Sequence, residues 1–506
     1  MPVEPRQQRY DVIIIGSGIG GLGLATYLAQ EGRSVLVLER HYRAGGFTHA
    51  FRRKKYLFDG AVRVVAGAEG NHLLSFLLGE AGLRGQIPFI PIADAYRAIY
   101  PEHDITVPAT VEALTETYCS QFPHEAQNIR ALIAEMLRVY HSTARLLFEP
   151  STAAVLGDEM VRKYRGRSFR DMVGAFVKEP RVASMLSSLW GYYGVTPTHA
   201  SALFFSYALM RYFVEGIYYV KGSFQAFADA FVGRLRSLGG ELCLLQEVKQ
   251  VVVQQGAVRG VQLASGAFIE APIVVSNGDL SQLISQLVGE HQFPPRYLRR
   301  IGKLERSLPA FEVFFGTDLP LEQLGLGHET LLFDDYDYDA VFDRQRRIHE
   351  LGISALGGMV LSCPSIADPG LAPPGCHTAV LTTLVPFDIG RPWKEAKPEF
   401  EQTMLAFAER IVPGLRNHIT YLESGTPTTM ERYTGNSQGA SYGWDQGMSQ
   451  ELSRPSTGTP IQGLHLTGHW TGSGGGVVSV LLTSYRLAQQ LTRAHESTQL
   501  QAGGVA

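Results

Sequence analysis

Cysteine is scarce in this sequence, with four residues in a chain of 506. Cys119, Cys243, Cys363 and Cys376 are far apart except for the last pair, and none of them forms a C-x-x-C motif. This spacing supports neither a disulfide framework nor a cysteine-ligated metal. We therefore predict no metal, and the reducing compartment that such cysteine usage fits leads us to expect a cytoplasmic protein.

The sequence also lacks a large excess of positively or negatively charged residues. The chain has 45 Lys and Arg against 48 Asp and Glu, which gives a formal net charge of -3. Such a balance provides no global attraction to a polyanion. We expect no nucleic-acid partner.

The sequence has no uninterrupted apolar run of membrane-spanning length. Its three uncharged stretches, residues 12–30, 187–210 and 464–485, are broken by glycines or by Pro197. A spanning helix needs about 20 consecutive apolar residues. Residues 1–9 are polar and do not have the layout of a signal peptide. We predict no transmembrane span and no secretion.

Glycine, by contrast, is abundant, at 54 residues of 506, and 45% of the chain is hydrophobic. Many glycines in a sequence without low complexity indicate tight turns and close backbone approaches. A chain of this length exceeds the size at which a single core stops growing. We expect two or three lobes with sizeable cores.

An apolar strand followed by a glycine-rich turn lies near the N-terminus, in YDVIIIGSGIGGLGLATYLAQ (10–30). Val12 to Ile15 predict a buried parallel strand, and the turn after it matches G-x-G-x-x-G. In that motif Gly16 permits the turn, Gly18 lets the main chain approach phosphates, and Gly21 lets the helix pack on the strand. The helix N-terminus then offers free N–H groups to a pyrophosphate.

A second apolar strand, Ser34 to Leu38, ends at Glu39. An acidic residue about 20 positions beyond the glycines is where an adenosine ribose is bound, and a carboxylate there disfavours a 2′-phosphorylated nucleotide. A glycine turn without a ligand is the alternative, and the complete βαβ pattern disfavours it. The segment continues through Arg40 into the pair Gly45-Gly46, which a simple nicotinamide dehydrogenase does not need. We therefore favour FAD over NAD.

Helices and aromatic residues dominate the next part of the chain. Residues 47–70 predict a hairpin or a short strand, and Thr110 to Pro150 predict helix with an apolar face. Residues 168–220 are the most aromatic part, and two interpretations stay open: core packing, or the lining of a long apolar pocket or membrane-facing mouth. Arg211 and Glu215 are spaced for a surface ion pair on a helix.

The chain then shows the features of a return to the nucleotide lobe. Ser223 to Leu238 predict a helix, and residues 247–253, 258–263 and 268–275 predict a three-stranded β-meander. The main chain around Val248 would contact the adenine, and the excursion ends at Ser276-Asn277-Gly278-Asp279.

Residues 300–415 alternate apolar runs with turns rich in proline and glycine, which predicts an antiparallel sheet as the floor of a substrate lobe. The carboxylate-rich run at 334–339 lacks the glycine and terminal glutamate of an EF-hand, so we expect a solvated loop. Near the C-terminus, GLHLTGHWTGSGGG (463–476) again predicts a strand and a glycine loop before an apolar helix from Val477. In a flavoprotein this helix end would face the N1–C2=O edge of the ring.

These segments together resemble the phytoene desaturase, carotenoid isomerase and retinol saturase family of FAD proteins over nearly the whole chain. The resemblance depends on GSGIGG with Glu39 and Gly45-Gly46, and on six further stretches: WGYYGVTPTHASA (190–202), YYVKGSFQAFADAF (218–231), VVSNGD (274–279), DPGLAPPG (368–375), TPTTMERYTGNSQGASYGW (426–444) and GLHLTGHWTGSGGGV (463–477). The family's reactions are desaturation, saturation, cis–trans isomerisation and terminal oxidation.

The resemblance implies an α/β protein with a Rossmann-type (GR2-like) FAD-binding domain of residues 1–75, 216–300 and 416–506. An α+β substrate domain of residues 76–215 and 301–415 has a helical insertion, with contact to a membrane as an open alternative. The implied FAD contacts are Gly16, Gly18, Gly20, Gly21, Glu39, Arg40, Gly45, Gly46, Phe47, Val248, Asn277, Gly468, His469, Gly475, Gly476 and Val477. The expected substrate contacts are Trp190, Tyr193, Phe205, Tyr218, Tyr219 and Tyr442.

Two positions depart from the family pattern. Phe58-Asp59-Gly60-Ala61-Val62-Arg63 places Arg63 where relatives often have a histidine, and His469 stands where many flavoproteins have an acidic residue. Arg63 would steady a reduced flavin or bind a polar substrate end, with an ion pair to a carboxylate such as Asp59 as the alternative. His469 is the second candidate catalytic residue, with a bond to a backbone group as its alternative.

The sequence thus predicts an FAD-dependent oxidoreductase that moves a hydride between flavin N5 and an allylic or olefinic carbon of a carotenoid- or retinoid-like substrate. Only one dinucleotide motif is present, so we expect a diffusible electron acceptor or donor such as oxygen or a quinone. A flavin amine oxidase is the alternative enzyme. An isoprenoid-lipid carrier without flavin is the non-enzymatic alternative, and the intact glycines at both FAD contacts disfavour it.

Overall fold

The computed structural model describes residues 4–148 and 152–503. Its strands, in chain order, are β1 (Val12–Ile15), β2 (Val35–Glu39), β3 (Ala50–Arg53), β4 (Tyr56–Asp59), β5 (Val65–Ala66), β6 (Phe89–Ile92), β7 (Asp94–Ile99), β8 (Asp104–Pro108), β9 (Ile217–Val220), β10 (Glu241–Leu244), β11 (Val248–Gln254), β12 (Ala257–Leu263), β13 (Phe268–Glu270), β14 (Ile273–Ser276), β15 (Ala310–Thr317), β16 (Glu329–Phe333), β17 (Gly358–Ser362), β18 (His377–Leu384), β19 (Ile419–Gly425) and β20 (Leu464–Leu466).

The α-helices are α1 (Ile19–Gln30), α2 (Leu73–Glu80), α3 (Val111–Gln121), α4 (Ala126–Phe148), α5 (Thr152–Gly157), α6 (Glu159–Tyr164), α7 (Phe169–Phe176), α8 (Pro180–Met185), α9 (Trp190–Tyr193), α10 (Ala202–Val214), α11 (Phe224–Ser237), α12 (Leu280–Gln282), α13 (Pro295–Ile301), α14 (Tyr338–Arg346), α15 (Ile348–Leu351), α16 (Pro364–Ala367), α17 (Trp393–Glu409), α18 (Pro427–Thr434) and α19 (Val477–Gly503). A π turn, Leu283–Val288, follows α12.

A five-stranded parallel sheet holds the N-terminal motif. Its strand order is β10-β2-β1-β14-β20, and every neighbouring pair is parallel. The apolar runs of β1 and β2 are buried because α1, α11 and α19 cover one face of the sheet and β11, β12 and β13 cover the other. Helices α1 and α19 pack on each other against it. The strands come from three separate parts of the chain. Because they are all parallel, the glycine loops that follow β1, β14 and β20 lie at the same edge of the sheet.

A seven-stranded sheet forms the second layer, in the order β19-β15-β18-β17-β16-β7-β8. All its pairs are antiparallel except β16 with β7. The antiparallel strands expected within residues 300–415 are present, and the sheet also recruits β7, β8 and β19 from outside that range. The domain boundaries stay a prediction.

The predicted β-meander is present but shorter than expected. Strands β11, β12 and β13 are antiparallel neighbours. Elsewhere in the chain, the hairpin expected within residues 47–70 is also present and is formed by β3 and β4. The prediction of one continuous third strand over residues 268–275 is wrong, because Ala271 and Pro272 separate β13 from β14. Proline has no N–H to donate to a ladder, and β14 leaves the meander to pair with β1.

Helices α3 to α10 form the insertion, and they share one apolar core with β7, β8 and β16 of the seven-stranded sheet and with α14. The apolar face expected on α4 is buried at Ile129, Leu132, Ile133, Met136 and Tyr140. The predicted helical segment ends at Pro150, which lies outside the described residues. Within residues 4–148 and 152–503, none of the helices combines the length and apolar character needed to cross a membrane.

Candidate active site

The first glycine turn is closely packed. A Cβ on Gly21 would lie 2.2 Å from the Gly16 carbonyl oxygen, and one on Gly18 would lie 2.8 Å from Nδ2 of Asn277. Gly16 has a φ of 95°, a conformation that favours glycine. Among the described residues, no side chain caps the N-terminus of α1. Its first N–H groups therefore point toward a space that suits an anion.

Glu39 is held firmly at the end of β2. Its Oε2 accepts hydrogen bonds from the backbone N–H and the hydroxyl of Ser17, both at 2.7 Å, and its Oε1 accepts from the His41 N–H at 2.8 Å. The carboxylate is thus fixed beside the glycine turn.

The second glycine pair lies directly on the first turn. The Gly45 N–H donates to the Ser17 carbonyl at 2.9 Å, and a Cβ on Gly46 would lie 2.9 Å from the Cα of Gly18. The C-terminal glycine loop reaches the same place, since a Cβ on Gly468 would lie 2.5 Å from Oδ1 of Asn277. Helix α19 is joined to the first turn by a hydrogen bond of 2.7 Å from the Ser484 hydroxyl to the Gly20 carbonyl.

One cavity of about 1060 Å³ extends from these loops to the aromatic segment. It is at the upper end of the roughly 300–1,000 Å³ found for ligand pockets. Among the expected FAD contacts, all except Gly21 line it: Gly16, Gly18, Gly20, Glu39, Arg40, Gly45, Gly46, Phe47, Val248, Asn277, Gly468, His469, Gly475, Gly476 and Val477. Arg63 lines the same cavity.

Half of the expected substrate contacts lie elsewhere. Trp190, Tyr193 and Tyr442 line the cavity, whereas Phe205 packs on Phe169 in the core of the helical insertion. Tyr218 and Tyr219 lie on β9, away from the cavity lining that the structure describes. The hydroxyl of Tyr219 donates to Oδ2 of Asp59 at 2.5 Å.

Helical periodicity divides α10 into two faces but does not identify the one that lines the cavity. The cavity-lining residues of this helix are Phe204, Tyr207, Ala208, Arg211 and Tyr212, whereas Phe205, Leu209 and Phe213 face the core. Both sets recur at three-and-four spacing, so only tertiary packing decides which one faces the cavity.

Arg63 has a different partner from the expected one. Its Nη2 donates to Oε1 of Glu312 at 2.6 Å, and its Nη1 donates to the Thr382 hydroxyl at 3.3 Å. Asp59 instead accepts from Tyr219 and, at 2.7 Å, from the Phe224 N–H. The alternative of an ion pair with a carboxylate is therefore confirmed, but its partner is Glu312 and not Asp59, because Asp59 ends β4 facing a different set of donors. Burial opposes the charge of Arg63, but the Glu312 carboxylate outweighs this and raises the pKa of the guanidinium.

Glu312 and Glu329 are cavity residues that the sequence interpretation missed. Glu312 is the one charged residue of the fully buried strand β15, a signal that the sequence contains. Glu329 accepts from the Tyr192 hydroxyl at 2.5 Å and the Ser362 hydroxyl at 2.7 Å. Burial raises the pKa of Glu312, and it raises the pKa of Glu329 to about 7. Burial also lowers the pKa of neighbouring His328 to about 4.

The Arg211–Glu215 pair and the acidic run 334–339 both differ from what the sequence predicts. The pair Arg211–Glu215 is buried rather than on the surface, with side chains 12% and 2% exposed, and Tyr140 donates to Glu215 from α4. The acidic run 334–339 is only partly loop, because Asp337 caps α14. Asp339 in that helix accepts from Thr196 and Thr198. Within the described part of the chain, no group of residues has the arrangement of a metal site.

A sequence model of the family described as flavin containing amine oxidoreductase matches residues 19–492 of the chain. The chain belongs to this family. The zebrafish (Danio rerio) all-trans-retinol 13,14-reductase is 23% identical, over 90% of this chain and 82% of the relative. A carrot (Daucus carota) prolycopene isomerase is 26% identical over 98% and 83%, and the lycopene-forming phytoene desaturase of Pseudescherichia vulneris is 24% identical over 93% and 97%.

Solved structures show the same fold. An oxidoreductase from Methanosarcina mazei superposes with a TM-score of 0.66 at 19% identity, over 94% of this chain and 99% of the other. A putrescine oxidase bound to putrescine gives 0.63 at 15% identity, over 96% and 99%. Rab GDI from Plasmodium falciparum gives 0.52 at 13% identity, over 83% and 89%.

The cofactor of this flavin-containing oxidoreductase is FAD, and the residues present fit it. The stacked glycine turns leave no room for side chains where a diphosphate would lie, and Glu39 is aligned beside them. Arg454, which the sequence interpretation missed, lines the cavity beside the loop before α19. It is 8% exposed, and its Nε and Nη1 have no hydrogen-bond partner among the described residues. A buried guanidinium at a helix N-terminus suits an anionic group such as this cofactor.

His469 lines the same cavity, and its imidazole ring is neutral at pH 7. Burial lowers its pKa to about 4. The ring lies 5.6 Å from that of Phe47 and 5.8 Å from that of Trp470, and Nε2 is 3.4 Å from Oδ1 of Asn436. Its partner is a side chain, not the backbone group suggested as the alternative.

Proposed function

We propose that this FAD-dependent oxidoreductase acts on C–C and C=C bonds of a hydrophobic polyene or isoprenoid, carotenoid- or retinoid-like, by desaturation, saturation or isomerisation. The observation that supports the proposal most directly is that one cavity is continuous between two regions. It joins the FAD-contact loops to an apolar wall that includes Trp190, Leu331, Phe333, Val360 and Leu384. Relatives named for retinol, prolycopene and phytoene chemistry point to the same substrate class.

The protein's contribution is binding and orientation. Bound FAD supplies the centre that accepts or donates a hydride. The apolar wall removes water from the substrate chain and orders it against the loops around Gly45 and Gly475. Arg63 and His469, which line that cavity, are the proposed catalytic participants. Arg63 places a positive charge in the site, whereas His469 stays neutral and presents a ring.

A diffusible electron partner and a peripheral membrane contact belong to the same proposal. The matched sequence contains one dinucleotide motif, so oxygen or a quinone would exchange electrons with the flavin. Phe204 lines the cavity and is 41% exposed, and Leu147, also in the lining, precedes Phe148, which is 48% exposed. Apolar side chains at a cavity opening support uptake of substrate from a lipid surface.

Anaerobic titration of the flavin tests this function. Purified holoenzyme is mixed with polyenes or with alkyl and aromatic amines, and the visible flavin absorbance is followed while products are separated by chromatography. We expect a polyene to reduce the oxidised flavin, to reoxidise the reduced flavin, or to be isomerised. Reduction by an amine alone would instead establish an amine oxidase. A preparation that contains no flavin and takes up none would contradict both enzymes.

A further inference from the structure

A buried cluster of ionisable side chains interrupts the apolar wall of the cavity. Arg63 and Glu312 line the cavity together with Glu329, although their residues are only 8%, 1% and 4% exposed. They come from the loop after β4 and from two strands of the seven-stranded sheet. The charges of Arg63 and Glu329 act on each other through the buried space. This cluster shares the cavity with the apolar side chains of Leu331, Phe333 and Val360.

All three of these residues have an unused hydrogen-bonding atom. The pair itself uses Nη2 of Arg63 and Oε1 of Glu312. In the described part of the chain, Nε of Arg63, Oε2 of Glu312 and Oε1 of Glu329 are buried without a hydrogen-bond partner. Buried polar atoms are satisfied in nearly all proteins, by protein, water or ligand. A substrate made only of carbon and hydrogen would displace water from this wall and offer nothing in return.

A hydroxyl group has the complementary chemistry. It can donate to a carboxylate oxygen and accept from a guanidinium N–H at the same time. A substrate carboxylate would be repelled by Glu312, and a substrate ammonium would be repelled by Arg63. A carbonyl could accept from Arg63 but would leave the Glu312 oxygen without a donor.

We propose that Arg63 and Glu312 form a docking site for a hydroxyl group, so that the substrate is a polyene or isoprenoid alcohol rather than a pure hydrocarbon. This inference rests on the proposed function, since it names the oxygenated members of the same substrate class. The pair positions the substrate and selects it, and the apolar wall holds the remainder of the chain.

Matched ligand pairs test the docking site in the holoenzyme. One pair is all-trans-retinol and the hydrocarbon that lacks only its hydroxyl; the other is lycopene and its monohydroxylated derivative. Dissociation constants are measured in detergent micelles by quenching of tryptophan fluorescence and by the shift of the flavin absorbance. In at least one pair we expect the alcohol to bind about 10-fold or more tightly than the hydrocarbon.

The variant Arg63→Met/Glu312→Leu replaces the ion pair by apolar side chains of similar volume, a change that buried pairs often tolerate. We expect it to lose the preference for the alcohol and to bind the hydrocarbon at least as well as the wild type does. The control Arg53→Gln/Glu423→Gln removes an ion pair of 2.7 Å between β3 and β19, outside the cavity lining, and should keep the preference. If the double variant does not fold, Glu312→Gln serves, with a selective loss of alcohol affinity expected.

The outcomes separate this inference from the proposed function. Equal binding of alcohol and hydrocarbon in the wild type, or a preference that survives in the cavity variant, overturns the docking site. The proposed function still stands in that case if the flavin reacts with polyenes. If no member of either pair binds and the flavin reacts with no polyene, both proposals are wrong.

Discussion

The guanidinium of Arg63 and the carboxylate of Glu312 form a buried ion pair of 2.6 Å, although 249 residues separate them in sequence. The pair connects the loop after β4 to β15, next to the edge strand β19 of the seven-stranded sheet, and it lines the same cavity as the expected FAD contacts. Removing one partner alone would leave an uncompensated buried charge. The structure therefore places a specific electrostatic requirement in the part of the cavity that we propose contacts substrate.

Gly21→Ala should abolish FAD binding. Its new methyl group would lie 2.2 Å from the Gly16 carbonyl oxygen, so the turn that presents the first N–H groups of α1 must open. The measurement is the flavin content of the purified variant and its recovery on addition of FAD. Gly233→Ala, in the middle of α11 with nothing within 4 Å of the added Cβ, is the control and should retain normal flavin content. Full occupancy in Gly21→Ala would show that the turn can move.

Glu39→Ala should weaken FAD binding by about 10-fold or more, since it removes a charged acceptor and leaves the Ser17 N–H without its partner. Isothermal titration of the apoprotein with FAD measures this change. Glu31→Ala, at the exposed end of α1, is the matched control. An unchanged dissociation constant in Glu39→Ala would mean that the carboxylate serves only to fix the turn.

Glu329 should make the protein less stable as the pH rises. Burial raises its pKa from the ordinary 4.5 to about 7, so the folded state holds a proton that the unfolded state releases. The free energy of unfolding then falls between these two pKa values, by roughly 3 kcal/mol in total for this group. Urea unfolding at about pH 5 and about pH 8 should show this fall in the wild type relative to Glu329→Gln.

The opposite contribution of His328 is shared by both proteins in that comparison. Its lowered pKa destabilises the folded state as the pH falls, and burial, which Glu329→Gln keeps, is the main cause of that lowered pKa. A difference that does not vary with pH would contradict a buried, protonated Glu329.

Arg454→Met should weaken FAD binding by about 10-fold and lower the midpoint potential of the bound flavin. The reason is that the buried guanidinium beside the N-terminus of α19 favours negative charge in the cavity. Spectroelectrochemistry measures the potential, and Arg454→Lys should restore part of it because the charge is kept. Arg299→Met, on the exposed side of α13, should leave both quantities unchanged. A wild-type potential in Arg454→Met would assign Arg454 to packing alone.

Local patterns predicted the nucleotide end of the site well. The strand, the glycine turn, α1, β2 and Glu39 all lie within about 30 consecutive residues, as this motif requires. Glycines in that stretch are needed for backbone reasons that depend on their immediate neighbours. The second glycine pair and the C-terminal glycine loop were predicted from local patterns in the same way. The structure brings these two segments and the first glycine turn together at one edge of the sheet.

The substrate end could not be predicted in the same way. Glu329 meets Tyr192 across 137 residues and Arg63 meets Glu312 across 249, so no spacing rule links them. The nearby Asp59 was the natural local guess for Arg63, and it failed because the end of β4 directs that carboxylate to Tyr219 and Phe224. On α10, residue type alone favoured Phe205, which faces the core.

The sequence by itself determined the fold family, the FAD cofactor and the class of chemistry, because a phosphate-binding turn is specified by adjacent residues. Tertiary structure alone decided which aromatic side chains face the cavity and which charges meet inside it. A helix such as α10 offers two faces with the same three-and-four spacing. Only the packing of the helical insertion against the seven-stranded sheet selects between them, since burial of each face depends on what lies opposite.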